Sequence, residues 1–395
     1  MRAMLLANEL IKSGHKVTII SSSFFHQRKS FRSKSSKEIK LNRDLRIVLI
    51  NSSGYKKHIS LSRILDHIIL SLNLKRFLKK NPDFLPDRVF LGYPPIETSF
   101  VIIKWAKKHN IPVMLDVKDN WPENFIDPFP KNAKKFVRFL LFPYFKIAKY
   151  IFNNADYISS ITKSFVNWID LISNNKYGIK NKNYLIAPLV REKIFISKKI
   201  ESQYMKFWKQ KNINISCGKY FLFVGSLSNA FDFKLIYEIS NLLISTHSEY
   251  FFLICGTGDK YEKLKSLFEN SKNVFLFGEI DKYNASFLVR NAIATLAPYQ
   301  NNPNFKNSIP NKVIESLEHG VPFITCTEGE LKNLIQKHKN GIYLNRKKLD
   351  ISKILKLIND EEYLERLREN AFKSYQNSFD FKKTYQEIIF KLTQI

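Results

Sequence analysis

The stretch YFLFVGSLSNAFDFKLIYEISNLL (residues 220–243) places an apolar run, a glycine and a helix-length segment in direct succession. A short, continuous apolar run bounded by a glycine is typical of a strand that is buried on both faces. The amphipathic segment after Gly225 is typical of a helix that covers such a strand. Strand, glycine turn and helix together predict a β–α–β unit and therefore a parallel sheet.

The same alternation extends through most of the sequence, which predicts parallel sheets covered by helices on both faces. Because 395 residues, 44% of them hydrophobic, are too many for one ordinary core, we expect two domains. The candidate strands are residues 16–21, 45–50, 88–93, 112–117, 157–162 and 184–188 in the first half, and 220–225, 250–255, 273–278, 292–297, 322–326 and 341–345 in the second.

The domain boundaries follow from this pattern and from one polar, poorly periodic stretch. We expect an N-terminal Rossmann-like domain over 1–195, a linker over 196–218, a C-terminal domain over 219–377 and a closing helix over 378–395. A doubly wound domain normally opens with a strand and a glycine turn, whereas helix signals here begin at Arg2. We therefore expect the first domain to lack its opening strand and to leave one sheet position exposed.

The composition excludes several classes of protein. With 25% charged residues and 33 phenylalanines, the chain is not intrinsically disordered. Its three widely spaced cysteines, Cys217, Cys255 and Cys326, give neither a disulfide framework nor the spacing of metal ligands. No secretory signal and no run of eighteen apolar residues is present. These features predict a protein of a reducing, cytoplasmic compartment.

The formal net charge of +29 favours a polyanionic partner: nucleic acid, an anionic membrane surface or a phosphorylated substrate. The alternative is a compositional drift towards lysine, with the lysines on solvated faces. Nucleic acid is the least favoured partner, because the basic residues are scattered and no stacking platform is evident.

Two segments concentrate the charge. Residues 26–43 are rich in arginine, lysine and serine and predict a mobile basic loop. Residues 134–152 combine phenylalanines with five basic residues, and Pro143 should kink or divide this segment. It is either an amphipathic helix at an anionic membrane, which would make the protein peripheral on the inner face of the plasma membrane, or a core helix with snorkelling lysines.

Glycines follow three successive strands of the second half. In parallel sheets, ligands bind beyond the carboxyl ends of the strands, where glycines let backbone N–H groups approach a phosphate. A glycine after a strand is often only a turn, but three in a row predict a pocket for a nucleotide diphosphate. The residues assigned to this pocket are Gly225 and Ser226, then Gly256 and Gly258, then Gly278.

The segment NSIPNKVIESLEHGVP (residues 307–322) predicts a short helix, with Ser308 or Ile309 as its cap and Gly320 after its end. Lys312 near the helix N-terminus would attract a phosphate, and the Glu315 carboxylate could accept hydrogen bonds from two ribose hydroxyls. The alternative for Glu315 is a solvated helix glutamate, and Glu318 is expected to be structural. We assign Ser308, Asn311, Lys312 and Glu315 to donor binding.

This helix, with the Val-Pro strand after it and GELKNLIQKHKNGIYL (residues 329–344), resembles the donor-binding half of family-4-type glycosyltransferases. That resemblance implies the GT-B architecture, two Rossmann-like, doubly wound parallel-sheet α/β domains facing a cleft. It casts Glu315 as the second glutamate of the family's Glu-x7-Glu signature, which binds the ribose, and places the first on Asn307. The basic pair that contacts the diphosphate in the family falls on Ser226 and Phe231, and Lys312 is our hypothesis for the replacement charge.

The first half resembles the same family in RAMLLANELIKSGHKVTIISSSFFHQRKSFR (residues 2–32) and in PVMLDVKDNWPENF (residues 112–125), the latter similar to a segment at the interdomain cleft. Asp119 could orient or deprotonate an acceptor hydroxyl, or it could cap the turn before Trp121. Asp116, His26 and Arg28 are assigned to the acceptor side, although a basic loop residue without a function is the default for the last two.

The resemblance implies a retaining hexosyltransferase that moves a sugar from a nucleotide-sugar donor to an acceptor hydroxyl, without a metal or another cofactor. A glycan or lipid-linked acceptor in bacterial surface polysaccharide assembly, such as capsule, O-antigen or exopolysaccharide, follows as a hypothesis. Two alternatives stay open: a nucleotide-sugar epimerase of the same architecture, and a non-catalytic GT-B binding scaffold, which the absent opening loop and Asn307 would explain.

Overall fold

The computed structural model describes residues 2–26, 28–56, 60–127, 129–173 and 183–395. The chain forms two compact units. Unit 1 comprises Met1–Arg191 and Lys382–Ile395, and unit 2 comprises Glu192–Phe381. Among the described residues, no helix combines the length and the apolar character needed to cross a bilayer.

Unit 1 alternates strands and helices, and its last helix comes from the C-terminal end of the chain. The helices are α1 (Arg2–Lys12), α2 (Leu61–Lys80), α3 (Ile96–Lys108), α4 (Lys131–Leu140), α5 (Phe142–Asn154) and α6 (Lys163–Ser173), with α16 (Phe381–Gln394) after unit 2. The strands are β1 (Val17–Ser22), β2 (Phe24–Phe25), β3 (Ser30–Phe31), β4 (Lys37–Lys40), β5 (Leu45–Ile50), β6 (Val89–Tyr93), β7 (Val113–Val117), β8 (Tyr157–Ser160) and β9 (Tyr184–Ile186).

The strands of unit 1 form separate sheets. One has the order β1-β5-β4, with β1 parallel and β4 antiparallel to β5, and a second has the parallel order β6-β7-β8-β9. Strands β2 and β3 form a small antiparallel pair. The core around β7 includes Leu115, Val117 and Phe152, all without exposed surface, because β7 lies in the middle of its sheet and α3 and α5 cover it.

Unit 2 is a complete doubly wound domain. Its helices are α7 (Lys198–Gln210), α8 (Phe233–Ile244), α9 (Tyr261–Phe268), α10 (Lys282–Asn291), α11 (Pro303–Lys306), α12 (Asn311–Glu318), α13 (Glu330–His338), α14 (Ser352–Asn359) and α15 (Glu361–Ser378). Its strands are β10 (Tyr220–Val224), β11 (Phe251–Cys255), β12 (Val274–Phe277), β13 (Ala294–Leu296), β14 (Phe323–Thr325) and β15 (Gly341–Tyr343). All six strands are parallel, in the order β12-β11-β10-β13-β14-β15.

In this order the chain starts in the middle of the sheet, fills one side and then returns to fill the other. The direction of winding reverses between β10 and β13, which is where open α/β sheets bind ligands. The strands β10 and β11 are almost wholly buried, as their continuous apolar sequences predict.

The α/β fold class is confirmed, and all twelve predicted strands form. The expected mobile loop over 26–43 is wrong, since β3 and β4 lie in it. The sequence KEIK of β4 has no apolar periodicity because β4 is an exposed edge strand that pairs only with β5. Such a strand is held by backbone hydrogen bonds, which leave no pattern in the sequence.

The expected linker over 196–218 is also wrong, because α7 lies in it and packs into unit 2. Ser197 caps this helix, with its hydroxyl accepting from the N–H of Ile200. The Trp208 side chain is completely buried, and its Nε1–H donates to Asn284 Oδ1 at 2.9 Å. Because lysines dominate this segment, its composition does not indicate that one side of the helix is buried.

The segment 134–152 divides at Pro143, as expected, into a surface helix and a core helix. None of the ten residues of α4 is buried. In contrast, α5 buries Ala148, Ile151 and Phe152. The core-helix interpretation therefore describes α5, whereas α4 lies at the surface of unit 1.

Candidate active site

The glycine turns of unit 2 lie side by side at the carboxyl edge of the sheet. In the strand register, Val224 lies opposite Cys255, and Cys255 lies opposite Phe277. The N–H of Gly225 donates to Cys255 O at 2.8 Å, and the N–H of Gly256 donates to Phe277 O at 3.0 Å. Each turn is thus bonded to the end of the next strand, so that the sheet hydrogen bonding continues into the turns.

The packing of these turns requires glycine at two positions. A Cβ atom on Gly256, where φ is +151°, would lie 1.8 Å from Gly225 O. On Gly225 a Cβ atom would lie 1.5 Å from the Lys312 ammonium. No such atom fits at either distance, so the absence of a side chain lets the two turns and the ammonium meet. Gly278 lies in an open turn, because its Cβ would have no neighbour within 4 Å.

Helix α12 brings Lys312 to the end of β10. The Lys312 Nζ donates to Val224 O and lies 5.2 Å from the centre of the Phe223 ring. Burial lowers the pKa of this ammonium to about 8, although the Glu315 carboxylate raises it in part. The predicted neighbourhood of Lys312 and Gly225 is therefore realised by residues 87 positions apart.

The other predicted donor residues of this segment differ in exposure. Glu315 follows Lys312 by three positions on α12 and is partly buried. Asn311 is exposed at the first position of the helix. Because Pro310 precedes the helix as its cap residue, the prediction that Ser308 caps it is wrong; the buried Ser308 hydroxyl instead donates to Phe305 O at 3.4 Å.

Ser226 and Phe231 stand at the two positions where family-4-type glycosyltransferases carry a basic pair, and neither is basic. Ser226 is exposed just beyond Gly225. Phe231 is only 6% exposed, and its ring packs on Phe223 and Tyr299 with centroid separations of 4.9 and 4.7 Å. Phe231 therefore belongs to the core, and Lys312 is the cation next to the turns. Gly258, in the turn after β11, is exposed.

A cation at this edge that sequence reasoning missed is Arg346. Its guanidinium donates to Asp232 Oδ2 at 2.6 Å and to both carboxylate oxygens of Glu238 at 2.6 and 3.1 Å. These acids lie at the start and in the middle of α8, more than a hundred residues earlier. No local signal joins them, because the contact depends on the order of the strands.

In unit 1, Asp116 is completely buried at the end of β7. Its carboxylate accepts from Arg2 Nη1 and from the Ser159 hydroxyl, both at 2.7 Å, and lies 2.8 Å from Lys118 Nζ. Burial would raise the pKa of Asp116, but Arg2 and Lys118 lower it below its ordinary value. Asp116 therefore joins the first turn of α1 to the second sheet of unit 1, and its assignment to the acceptor side stays a prediction.

Asp119 and His26 line a cavity of about 1490 Å³ in unit 1, and Arg28 is exposed outside that lining. The cavity is also lined by two residues that the sequence did not indicate, Arg63 and His67. The Arg63 guanidinium lies 4.7 Å from the Trp121 ring centre, and the His67 ring lies 5.6 Å from it. Arg63 and His67 thus pack on the Trp121 ring and line the same cavity as the predicted catalytic Asp119.

Within the described ranges, no group of three or more His, Cys, Asp or Glu side chains is arranged to hold a metal ion.

Comparison with solved structures identifies the class: the chain has the two-domain GT-B glycosyltransferase fold. It is similar to sucrose-phosphate synthase from Thermosynechococcus elongatus, with a TM-score of 0.71 and 14% identity over 98% of this chain and 91% of that one. The lipopolysaccharide glycosyltransferase WaaG matches with a TM-score of 0.65 and 14% identity over 99% and 94%. Anabaena HepE in complex with UDP and glucose matches with a TM-score of 0.61 and 12% identity, over 88% of this chain and 86% of that one.

Comparison with protein families is more specific for unit 2. Residues 205–374 match the family described as glycosyl transferases group 1. This range contains the glycine turns, Lys312 and Glu315. Comparison with curated proteins finds no match.

Proposed function

We propose that this protein is a family-4-type glycosyltransferase that moves a sugar, with retention at the anomeric carbon, from a nucleotide-sugar donor to an acceptor hydroxyl. The observation that carries the proposal is the contact of the Lys312 ammonium with the packed turns at Gly225 and Gly256. The family match over residues 205–374 supports the reaction class.

The donor would bind at the turns of unit 2. Backbone N–H groups and the Lys312 charge suit a diphosphate, and Glu315, three positions further along α12, suits the ribose hydroxyls. Because HepE was solved with UDP and with UDP-glucose, a uridine diphosphate sugar is the first donor to test. No metal is needed in this proposal, since the lysine supplies the positive charge.

The acceptor would bind in unit 1, on the cavity that Asp119 lines. Asp119 would accept the hydroxyl proton or orient the hydroxyl. Lys118 and Arg63, which line the same cavity, suit an anionic acceptor such as a lipid-linked diphosphate glycan. The named role of WaaG in lipopolysaccharide biosynthesis supports a glycan acceptor in surface polysaccharide assembly.

Calorimetric titration with UDP tests the donor site. We expect Glu315→Gln to weaken UDP binding by roughly tenfold or more, since a charge-assisted hydrogen bond contributes about 1.5–3 kcal/mol. Glu262→Gln is the matched control, because Glu262 is an exposed glutamate in another short helix of unit 2. Unchanged affinity in Glu315→Gln, or no binding of any nucleoside diphosphate by the parent chain, contradicts the proposal.

The second candidate is a non-catalytic nucleotide-sugar-binding scaffold. It is favoured by Ser226 and by the buried Phe231 at the positions of the family's basic pair. Product analysis separates the possibilities: transfer to added acceptor supports the enzyme, and tight donor binding without any product supports the scaffold. A changed sugar with donor alone identifies an epimerase.

We further propose that α4 attaches the protein to an anionic membrane, with the protein in the cytoplasm. On the helix, Phe136, Phe139 and Leu140 fall on one face, and Phe136 and Phe139 are 64% and 75% exposed. The opposite face carries the cationic side chains of Lys131, Lys134, Lys135 and Arg138. An exposed phenylalanine face on a helix rich in cations suits the interface of anionic lipids.

Flotation with phosphatidylserine-containing vesicles tests this attachment. We expect the double variant Phe136→Ser/Phe139→Ser to lose binding by at least tenfold, because burial of one such side chain contributes about 1.5–3 kcal/mol. Phe390→Ser is the matched control, since Phe390 is 57% exposed outside α4. Equal binding of both variants, or no preference of the parent chain for anionic vesicles, would remove α4 from the proposal.

A further inference from the structure

Helix α2 carries apolar side chains on two opposite faces. On its inner face, Leu70, Leu74 and Leu78 are buried and pack in one cluster with residues of β5 and α3. On its outer face, four large aliphatic side chains are between 39% and 84% exposed: Leu61, Leu65, Ile68 and Leu72. A helix that is apolar on all sides is normally buried on all sides. The outer face of α2 therefore lacks a partner within the part of the chain that the structure describes.

The four exposed side chains form one continuous row. Their spacing of four, three and four residues keeps them within an arc of roughly 60° around the helix axis, and the row is about 17 Å long. Exposed apolar residues that are scattered singly are ordinary on protein surfaces, whereas a continuous row marks a surface of interaction. We call this row, defined as Leu61, Leu65, Ile68 and Leu72, the leucine stripe.

The exposed charges of α2 beyond the leucine stripe are all positive. They lie in the last two turns of the helix and belong to Lys75, Arg76, Lys79 and Lys80. Lys75 and Lys79 continue the arc of the stripe itself. The single acidic residue of α2, Asp66, is buried on the inner side, where its carboxylate accepts from the Gly54 N–H. The outer face of α2 thus complements a partner that is both apolar and anionic.

The first turn of α2 and the exposed helix α4 contact the same short segment, residues 121–127. From α2, the Arg63 guanidinium lies 4.7 Å from the centre of the Trp121 ring. From α4, the Arg138 Nη2 lies 3.7 Å from Glu123 Oε1. The leucine stripe therefore begins close to the helix that carries the exposed phenylalanines, and one extended surface can contact both.

A second copy of this chain is a poor partner for the leucine stripe. The stripe is about 17 Å long and no wider than the ~10 Å helix, far below the ~800 Å² that each partner of a stable complex buries. Two copies that each carry a charge of +29 also repel each other, and α2 offers no exposed acid to its own basic end. A lipid surface needs no matching protein surface, because its acyl chains accept leucines and its headgroups accept cations.

We propose that the leucine stripe of α2 inserts into the surface of an anionic membrane, with Lys75 and Lys79 at the lipid headgroups. The stripe lies roughly 5–10 Å deep, at the boundary between headgroups and acyl chains. This inference deepens the proposed attachment through α4, on which its choice of partner rests. Because Arg63 lines the same cavity as Asp119, a lipid-linked acceptor enters that cavity beside the membrane.

Flotation of the full chain with vesicles of phosphatidylcholine and phosphatidylserine tests the stripe. We expect Leu61→Ser/Leu65→Ser to weaken binding by roughly tenfold or more, because two leucines no longer leave water. The matched control is Leu171→Ser/Leu242→Ser, since these leucines of α6 and α8 are 81% and 47% exposed, against 84% and 54% for Leu61 and Leu65. Circular dichroism verifies that both variants are folded.

A second pair of variants tests the cations. We expect Lys75→Gln/Lys79→Gln to weaken binding to the same vesicles by roughly fivefold or more. The control, Lys263→Gln/Lys265→Gln, removes the same charge from exposed positions of α9 in unit 2. Equal losses in the two variants would mean that the net charge of the chain acts without α2, and would overturn the placement of these lysines.

A fluorophore on the stripe reports its location directly. Cys217 is exposed and the other two cysteines are buried, so a Cys217→Ser chain accepts an environment-sensitive label at one introduced cysteine. We expect the emission of a label at Leu65→Cys to shift to the blue when phosphatidylserine vesicles are added, and that of a label at Leu242→Cys to stay unchanged.

The outcomes separate this inference from the attachment through α4. A parent chain that floats with no vesicle, or equally with phosphatidylcholine alone, overturns both. Loss of binding in Phe136→Ser/Phe139→Ser, with parental binding in Leu61→Ser/Leu65→Ser, overturns the role of α2 alone. A parent dimer in light scattering that Leu61→Ser/Leu65→Ser abolishes, without a blue shift at position 65 on vesicles, assigns the stripe to a second copy and overturns the lipid partner. None of these readouts depends on sugar transfer.

Discussion

Three features determine whether the Lys312 ammonium can be accommodated at the end of β10: a hydrogen-bond acceptor, space and the cost of burying a charge. It needs a hydrogen-bond acceptor, and Val224 O at the end of β10 supplies one. It needs space, which exists because Gly225 has no side chain. Its charge is costly to bury, and the lowered pKa, about 8, expresses that cost. A phosphate at the turns would relieve it, so we interpret the site as one prepared for an anion.

Proton uptake on donor binding follows from this pKa. A bound diphosphate raises the pKa of Lys312, so at pH 8 the partly neutral amine should take up a proton as UDP binds. Calorimetry in two buffers of different ionisation enthalpy measures this uptake. Lys312→Met should abolish it and weaken UDP binding by roughly 10–100-fold. Uptake that persists in Lys312→Met would assign the proton to another group.

Lys312→Met should weaken UDP binding but increase the stability of the folded state. The folded pKa of Lys312 lies below the ordinary value of 10.5, so the native state disfavours the charged form. Its destabilising effect is complete below about pH 8 and disappears as the pH rises towards 10.5. We therefore expect Lys312→Met to raise the midpoint of urea unfolding at pH 7, and this gain to vanish above pH 10.

The glycine turns give a second test at single residues. Gly256→Ala places a methyl group against Gly225 O at a positive φ, so we expect a loss of roughly 2–5 kcal/mol in the free energy of unfolding. Gly278→Ala is the control, because no atom lies within 4 Å of its added Cβ; its effect should stay within about 0.5 kcal/mol. Urea unfolding of both variants measures the difference, and similar losses would contradict the packing of the turns.

At the scale of elements, α7 shows how a lysine-rich sequence hides a structural helix. Ile200, Tyr204, Phe207 and Trp208 repeat at helical spacing, with cationic and polar residues between them. Only Trp208 is completely buried, so the helix presents a narrow apolar stripe and a wide solvated face. Composition averaged over the segment resembles a linker, and a stripe with one buried residue is too narrow to stand out among the lysines.

Substitution of Trp208 distinguishes a linker from a helix that packs into the core. In a linker, Trp208→Ala would change little, whereas the loss of a fully buried indole in a core should cost about 3–5 kcal/mol. Met205→Ala in the same helix is the control, since Met205 is 36% exposed. Chemical denaturation followed by far-UV circular dichroism measures both. An effect of Trp208→Ala below about 1 kcal/mol would mean that α7 is not part of the unit 2 core.

At the scale of the whole molecule, the charge of +29 is available to act at a distance. If α4 attaches the protein to anionic lipids, the apolar part of binding should survive salt while the electrostatic part is screened. We therefore expect vesicle binding to weaken several-fold between 0.05 and 0.5 M salt (roughly the range over which the Debye length falls below 5 Å) and to persist partly at the upper end. Sedimentation with vesicles across this range measures it, and binding that is independent of salt would exclude a role for the cations.

The sequence predicted most of the fold and part of the site. The twelve predicted strands carry apolar runs, which can be recognised without tertiary information. Strand β4 and helix α7 were missed because one is held by its backbone and the other by a single buried tryptophan. In the site, the pairing of Lys312 with the glycine turns could be anticipated from motifs, whereas Arg346 with Asp232 and Asp116 with Arg2 could not.

The sequence by itself determined the α/β class, the twelve strands and the residue types needed at the turns, because these depend on local periodicity and on the freedom of glycine. Only the tertiary structure decided that the Arg2 guanidinium forms an ion pair with Asp116, that Phe231 belongs to the core and that β1 and β6 border one cavity. Those outcomes depend on which distant segments become neighbours. Hydrogen bonds and buried ion pairs between such segments are formed by strand order, which no local stretch of sequence encodes.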